Sequence, residues 1–493
     1  MSSTGTNLQL PAKPWAQRVG IAAAVLLTLG TMLAVRAATE AILDTETIAV
    51  VIVTLIFLGL LAFTAGYSRA RGDKTGWLIF LVWCLLLISE EVFSYNTDIV
   101  TLAEGNFSNG AYAQAAIWLV ATFGLFMIVI KHPQYLRGLF SGDYKWVSWI
   151  AVVSVLSCAY ALNPKFSLAW ALKLALGAVI LHVCARQITE VDDLAAFLKM
   201  TIIAMTFLIV MPTLRSLLVA DPSGTYGTRE LEQRFREGPT GLSAIAGTLA
   251  VMCMTLYSAR NRKWPLWVAG LSLILMIVAG GKAGIIVGIV SGIMFYAMQK
   301  RVGAVIGYVA VISVILIGAL LFTPLGDYLQ SYQASGEGAT LSGRTALWAF
   351  VTPAIKQSPI IGHGFISSRF LGVLNPDMPW KAGHMHNGLV EAMYNNGLIG
   401  LTLILLIHGV IVRNLRRAMR AAASAEIHTM AVGAMAVWIN LFLNGMFNAT
   451  FAGRPDAPYL ILIATVIISI KILQFAQDPT RSHWHFEPHT RAV

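Results

Sequence analysis

"HMHNGLVEAMYNNGLIGL" runs from His384 to Leu401 and sets His384, His386 and Asn387 at the mouth of an apolar segment. Further basic groups lie upstream: Arg229, Arg234 and Arg236 in "TRELEQRFREGPTG", Lys282 in "GGKAG", and Arg344 in "LSGRTALW". Such a set suits an anion, because Arg offers a planar fork that matches phosphate oxygens and Lys a point charge. Each residue also has a plainer reading. Arg229, Arg234 and Arg236 alternate with Glu230, Glu232 and Glu237, which fits a self-paired, solvated face. Arg236 escapes that reading best, since "EGPTG" leads directly into an apolar run. Lys282 could snorkel to a membrane interface, and backbone groups could satisfy His386. Arg344 falls in the first turn of an expected helix, the unfavourable end for a cation, so an external anion explains it better than the helix dipole. A metal site is disfavoured. His384-x-His386 lacks the i, i+4 spacing of a helical zinc pair and no His-Glu-x-x-His follows, although His363 stands nearby in sequence.

The elements that must position these residues are membrane helices. The chain has 493 residues, 57% hydrophobic and 12% charged, where an average soluble domain has about 25% charged residues. Blocks such as "TIAVVIVTLIFLGLLAFTAGY" and "YLILIATVIISIKILQF" approach or exceed the length of a spanning helix and are too long for barrel strands. This predicts an all-α, polytopic membrane bundle. Lys13 and Arg18 precede the first block as in a signal peptide, but no small-residue cleavage site follows, so it reads as a retained helix. Cys84, Cys158, Cys184 and Cys253 lie inside apolar blocks and suggest neither a disulfide framework nor a zinc site. The net charge of +11 reads as the Lys and Arg that mark the cytoplasmic ends of spans, not as a nucleic-acid surface.

About 12–14 spans are expected, starting near 18, 47, 76, 112, 146, 166, 194, 241, 264, 282, 303, 396, 428 and 458. The connections 68–74, 131–145, 259–263, 299–301 and 413–420 are basic, and the alternate ones are acid-rich or nearly uncharged. That alternation puts both termini in the cytoplasm and the connections 214–240 and 324–395 outside. The candidate basic groups therefore gather on the side that should be poor in them. A loop as long as 324–395 is usually functional. Within it Leu347, Trp348, Phe350, Val351 and Ile355 recur at helical spacing after Ser342, a plausible N-cap. The reading is one membrane domain, 1–493, with an external helical subdomain at 324–395. No Asp-x-Asp motif occurs in an outer loop, so a metal-dependent glycosyltransferase of the soluble type is not supported.

"LSGRTALWAFVTPAIKQSPIIGHGF" followed by "HMHNGLVEAMYNNGLIGL" resembles the signature of the O-antigen ligase and polymerase family, which includes exopolysaccharide polymerases. The matching positions are Arg344, Trp348, Pro359, Gly362, Gly364, His386, Asn387, Gly397 and Gly400. "IVAGGKAGIIVGIV" resembles the family's Ser-Arg-Gly span, with Lys282 where Arg is usual, and "RFREGPTG" loosely resembles its Arg-Gly segment. The resemblance implies a glycan donor carried on undecaprenyl diphosphate in the bacterial inner membrane. The glycan would pass at the periplasmic face to an acceptor hydroxyl, on another glycan or on lipid A core, without metal or other cofactor and with inversion. It further implies His386 as the base, Glu391 orienting the imidazole, and Asn387 meeting a sugar hydroxyl. Arg344, Lys282, Arg236 and Arg234 would hold the diphosphate, with His384 beside them. One intervening residue should point the two imidazoles in different directions. The competing class is a polytopic transporter or flippase for lipid-linked glycan. Transporters usually show related halves and broken helices meeting at the midplane; here no internal repeat is evident. A plain scaffold would leave the long outer loop unexplained.

Overall fold

The computed structural model describes residues 76–93, 109–218, 238–322, 344–371, 384–448 and 450–478. The expected spans near 18 and 47, the Ser342 cap, Arg229, Arg234 and Arg236 lie outside these residues. By internal contacts the chain divides into residues 1–81, of which only 76–81 are described, and residues 82–493. The helices in order are α1 (Gly76–Phe93), α2 (Asn109–Lys131), α3 (Lys145–Ser157), α4 (Pro164–Gln187), α5 (Val191–Leu218), α6 (Gly238–Arg260) and α7 (Trp264–Val278). They continue with α8 (Lys282–Met298), α9 (Val302–Phe322), α10 (Arg344–Gln357), α11 (Gly388–Ala421), α12 (Ala425–Phe447) and α13 (Ala457–Gln477). Among the described residues there is no strand, as the composition predicts.

Among the described residues seven helices are long and apolar enough to cross a membrane, and the shorter apolar stretches Leu78–Ser89, Ile117–Lys131, Trp264–Val278 and Lys282–Met298 accompany them. Burial separates centre from rim: the span in α6 is 83% buried and that in α9 17%. Val302, Ile306, Val314 and Leu321 of α9 are exposed, as are Leu119, Phe123 and Ile130 of α2, where only lipid is a favourable neighbour. Between α6 and α8 the contact rests on small residues four apart. A Cβ on Gly284 would meet that of Ser243 at 2.5 Å, and one on Gly247 would lie 3.1 Å from the Gly288 Cα. Backbones that approach this closely gain packing that lipid cannot supply. Polar side chains join the same helices to α12: Thr248 Oγ1 donates to Asn440 Oδ1 at 2.8 Å, and Asn440 Nδ2 to Ser291 Oγ at 2.9 Å.

The two ends of the bundle differ in charge. At one end Arg260 pairs with Asp192 at 2.8 Å and with Glu426, and Arg413 pairs with Asp143 at 2.5 Å. The opposite ends of α3 and α12 meet the segments around the histidines: Ser157 Oγ accepts from Phe365 N–H at 3.1 Å, and Met446 O from Asn387 Nδ2 at 3.2 Å.

The main departure from a regular bundle is in α11. Gly397 has φ 61° and ψ −157° and breaks the helix. The break is a reversal. In a straight helix, residues 388 and 408 would lie about 30 Å apart. Yet the Phe451 ring lies 2.5 Å from a Cβ built on Gly388 and 4.8 Å from the His408 ring. Residues 388–396 thus form a short arm that folds back beside the long arm, 398–421. The long arm begins close to the span start expected near 396, and the short arm belongs to the loop before it. The groups freed at the reversal are met by residues 359–364. Leu398 N–H donates to Pro359 O at 2.8 Å and Ile399 N–H to Ile360 O at 3.2 Å; in return, His363 N–H donates to Tyr394 O at 2.9 Å and Gly364 N–H to Asn395 O at 2.8 Å.

A Cβ on Gly397 would sit 2.3 Å from Ile360 O, at a positive φ. Gly397→Ala is expected to destabilise by about 1–3 kcal/mol or more, read as a lower Tm in detergent. Gly318→Ala in α9, where a Cβ meets nothing within 4 Å, should be neutral or slightly stabilising. Equal Tm for both variants would show that the reversal carries no strain.

Candidate active site

The histidine segment leads into the short arm of α11, and residues 359–364 form the brace that bonds the reversal at the other end of that arm. Asn387 is the N-cap: its Oδ1 accepts from Leu389 N at 2.9 Å and Val390 N at 3.2 Å, and its Nδ2 donates to Met446 O at 3.2 Å. The side chain expected to meet a sugar hydroxyl is thus engaged in starting the helix and tying it to the end of α12.

Glu391 is 1% exposed. Its carboxylate accepts from Ser368 Oγ, from Met385 N–H at 2.7 Å and from Asn395 Nδ2 at 3.4 Å. It therefore holds the backbone of the histidine segment where the sequence reading had it orient the imidazole itself. Asn395 Oδ1 accepts from Ser368 N at 3.0 Å, closing a buried loop of hydrogen bonds that joins residue 368 to the short arm. Buried polar groups satisfied in this way favour a single arrangement.

His386 has φ 50°, a left-handed conformation uncommon outside glycine and asparagine. That turn overrules the expectation that alternate residues diverge. The His384 and His386 rings lie 3.9 Å apart between centroids, and His386 N–H donates to His384 Nδ1 at 3.1 Å. An Nδ1 that accepts leaves the neutral proton of His384 on Nε2. Trp348, on α10, donates Nε1–H to Met385 O at 2.9 Å, while Leu347, Val351, Leu371, Met385 and Tyr394 form the apolar core under the segment. His363 is not drawn to the pair. It stacks on Tyr394 with centroids 4.7 Å apart and bonds Ala354 O at 2.8 Å.

Both imidazoles are held neutral. Burial, and then the Arg344 guanidinium, push the His386 pKa down to about 4. Burial lowers His384 well below the usual range, followed by the charges of His386, Arg369, Arg344 and Arg454. Three arginines from three segments thus bear on one buried imidazole pair. Arg344 opens α10 as expected. Arg369 and Arg454 were not singled out from sequence, although each is a cation in a segment that the charge alternation puts outside. Arg454 stacks over Trp170 at 5.1 Å, and Lys173, 1% exposed, lies 5.0 Å from the centroid of the same ring. A lysine inside the apolar block "SLAWALKLALGAV" was a legible signal, because intramembrane cations are rare without a function. Lys282 opens α8, where Ser243 Oγ accepts from Gly281 N–H at 3.1 Å. It is not among the cations with the largest effect on His384. Among the described residues no three His, Cys, Asp or Glu side chains are grouped to hold a metal ion.

A neutral imidazole with a guanidinium group acting on it can accept a proton beside a bound anion. Residues 265–405 match the family described as O-antigen ligase. A protein of Rickettsia felis named as a polysaccharide ligase is 27% identical over 179 residues, 34% of this chain and 43% of its own length. The exopolysaccharide production protein ExoQ of Rhizobium meliloti is 37% identical over 82 residues, 15% of this chain and 19% of its own. The matched segments span less than half of these relatives. The stretch 265–405 that is similar to the O-antigen ligase family is the one that holds Lys282, Arg344 and the histidine segment.

Proposed function

We propose that this protein is a membrane glycosyltransferase that moves a glycan from an undecaprenyl-diphosphate carrier to an acceptor hydroxyl, on a second glycan or a lipid A core. It would do so at the periplasmic face of the bacterial inner membrane. The observation that supports the reading is the His384–His386 pair itself, its rings 3.9 Å apart, with Arg344 acting on both imidazoles and Arg369 and Arg454 on His384. The acceptor oxygen attacks the anomeric carbon as the bond to the diphosphate oxygen breaks. The proton passes to His386 and the lipid diphosphate leaves, with inversion at carbon. The guanidinium groups supply the positive charge that the leaving group needs as its own charge grows, so the step calls on no metal ion. Lys282, Arg234 and Arg236 complete the proposed donor contacts, and Glu391 and Asn387 act by fixing the histidine segment.

The same arginines make the base conditional. In the free protein Arg344 opposes a proton on His386, and Arg369 and Arg454 join it in opposing one on His384. A bound diphosphate offsets their charge and raises the proton affinity of the ring, so donor binding prepares the base. The sign follows: protonated His386 cannot act, and activity is lost as pH falls through its pKa. The acid limb of kcat/KM, which reports the free enzyme, is expected near 4, and the limb of kcat at higher pH. Coincident limbs near the ordinary imidazole value would place the arginines away from His386.

Purified protein, lipid-linked glycan and acceptor, assayed for product without ATP, test the reaction itself. His386→Ala should lower turnover by about 10²–10⁴ with donor binding little changed, and Arg454→Ala should weaken donor binding. His384→Ala is expected to impair turnover through loss of the bond to His386 N–H, and His384→Asn, which keeps an acceptor, to restore part of it. Full activity of the His386→Ala protein would remove it as the base. Transport of the glycan across vesicles with no product would favour a flippase. Reporter fusions after residues 140 and 417 should read cytoplasmic, and a periplasmic signal at 417 would put the site on the wrong face.

A further inference from the structure

From His408 to Arg420, running away from the histidine segment, α11 and Trp438 of α12 line an open groove of about 600 Å³. Gly409, Val412 and Trp438 line one part of it and Arg413, Arg416 and Arg420 another, with Arg417 beside them. The residues from α11 recur at intervals of three or four, so one helix face runs from apolar to cationic. From residue 408 to residue 420 that face extends about 18 Å, slightly more than one leaflet of a hydrocarbon core about 30 Å thick. Gly409 faces open space, since a Cβ there would meet nothing within 4 Å, so its missing side chain serves no tight packing and leaves the groove wide. Trp438 is fixed by donating Nε1–H to His408 Nδ1 at 3.0 Å.

Arginines at this end need no special account if they only mark the cytoplasmic side of a span. Three observations go further. The cations line a concavity. They are continuous with an apolar lining. And while Arg413 is paired with Asp143, Arg416 and Arg420 are exposed and meet no carboxylate among the described residues. Basic pockets between membrane helices at this level take anionic lipid headgroups. We propose that the groove binds an anionic membrane phospholipid, its phosphate on Arg416 and Arg420 and its acyl chain along Val412, Gly409 and Trp438. The site is separate from the one proposed for transfer and stands without it.

The test is thermal unfolding and native mass spectrometry of the full chain in detergent with added phosphatidylglycerol, phosphatidylcholine or inorganic phosphate. Phosphatidylglycerol should be retained and raise Tm, and the other two should not. Replacing both Arg416→Gln and Arg420→Gln should weaken phosphatidylglycerol about thirtyfold. Gly409→Leu, which fills the apolar part and leaves every charge in place, should weaken it too. Equal binding of phosphatidylcholine, or phosphatidylglycerol binding untouched by the Gly409 variant, would overturn the proposal. Phosphate alone matching the lipid would assign the arginines to a free anion and also overturn it. If the double variant does not fold, the Gly409 variant decides.

Discussion

A helix that reverses inside a membrane protein frees backbone groups that lipid cannot satisfy. Here the reversal at Gly397 is possible because residues 359–364 lie against it and exchange four backbone hydrogen bonds with it. The other features of the site follow from that exchange. It folds residues 388–396 back along the long arm, so that their N-terminus, and the histidines before it, end up among α4, α10 and the loop before α13 and not at a helix tip in water. The glycines at 362 and 397 are required because no side chain fits where the two backbones meet, and the one at 364 because a Cβ there would lie 2.4 Å from the Ala161 Cα.

Burial and charge then act together. A histidine in water would be half protonated near neutral pH. In this setting desolvation opposes the proton on both rings, joined by Arg344 at His386 and by Arg369, Arg344 and Arg454 at His384. The arginines are themselves costly in apolar surroundings. Stacking on Trp170 in the case of Arg454 offsets part of that, and an anionic ligand would offset more.

Much of this was legible in the sequence, and what was not shares a physical cause. Block lengths and the sidedness of Lys and Arg fixed the helical architecture, and helical spacing after Ser342 anticipated α10. Arg344, His386 and the paired glycines stood out as motif positions. Asn387 before an apolar run also carried a readable capping signal, which the search for a sugar contact passed over. The closeness of the two imidazoles was not readable, because it depends on the left-handed turn at His386, imposed by the bond from Glu391 to Met385 N–H. Nor was the arrival of Arg369 and Arg454, since neither sits in a patterned motif and tertiary packing alone brings them to the site.

The brace also sets an order of assembly. Its outer anchors come from far back in the chain: Phe365 N–H bonds Ser157 Oγ, Tyr160 OH bonds Ile361 O, and Leu162 N–H bonds Ser367 Oγ, across 208, 201 and 205 residues. Contacts of such separation close late, after the intervening chain has paid its loop entropy. During synthesis α3 and α4 enter the membrane long before residues 359–371 exist. Until then Leu162 N–H lacks Ser367 Oγ and Ser167 Oγ lacks Phe365 O. The pocket around the histidine segment thus cannot close until residues 359–396 have been made, long after Lys173 has entered with α4.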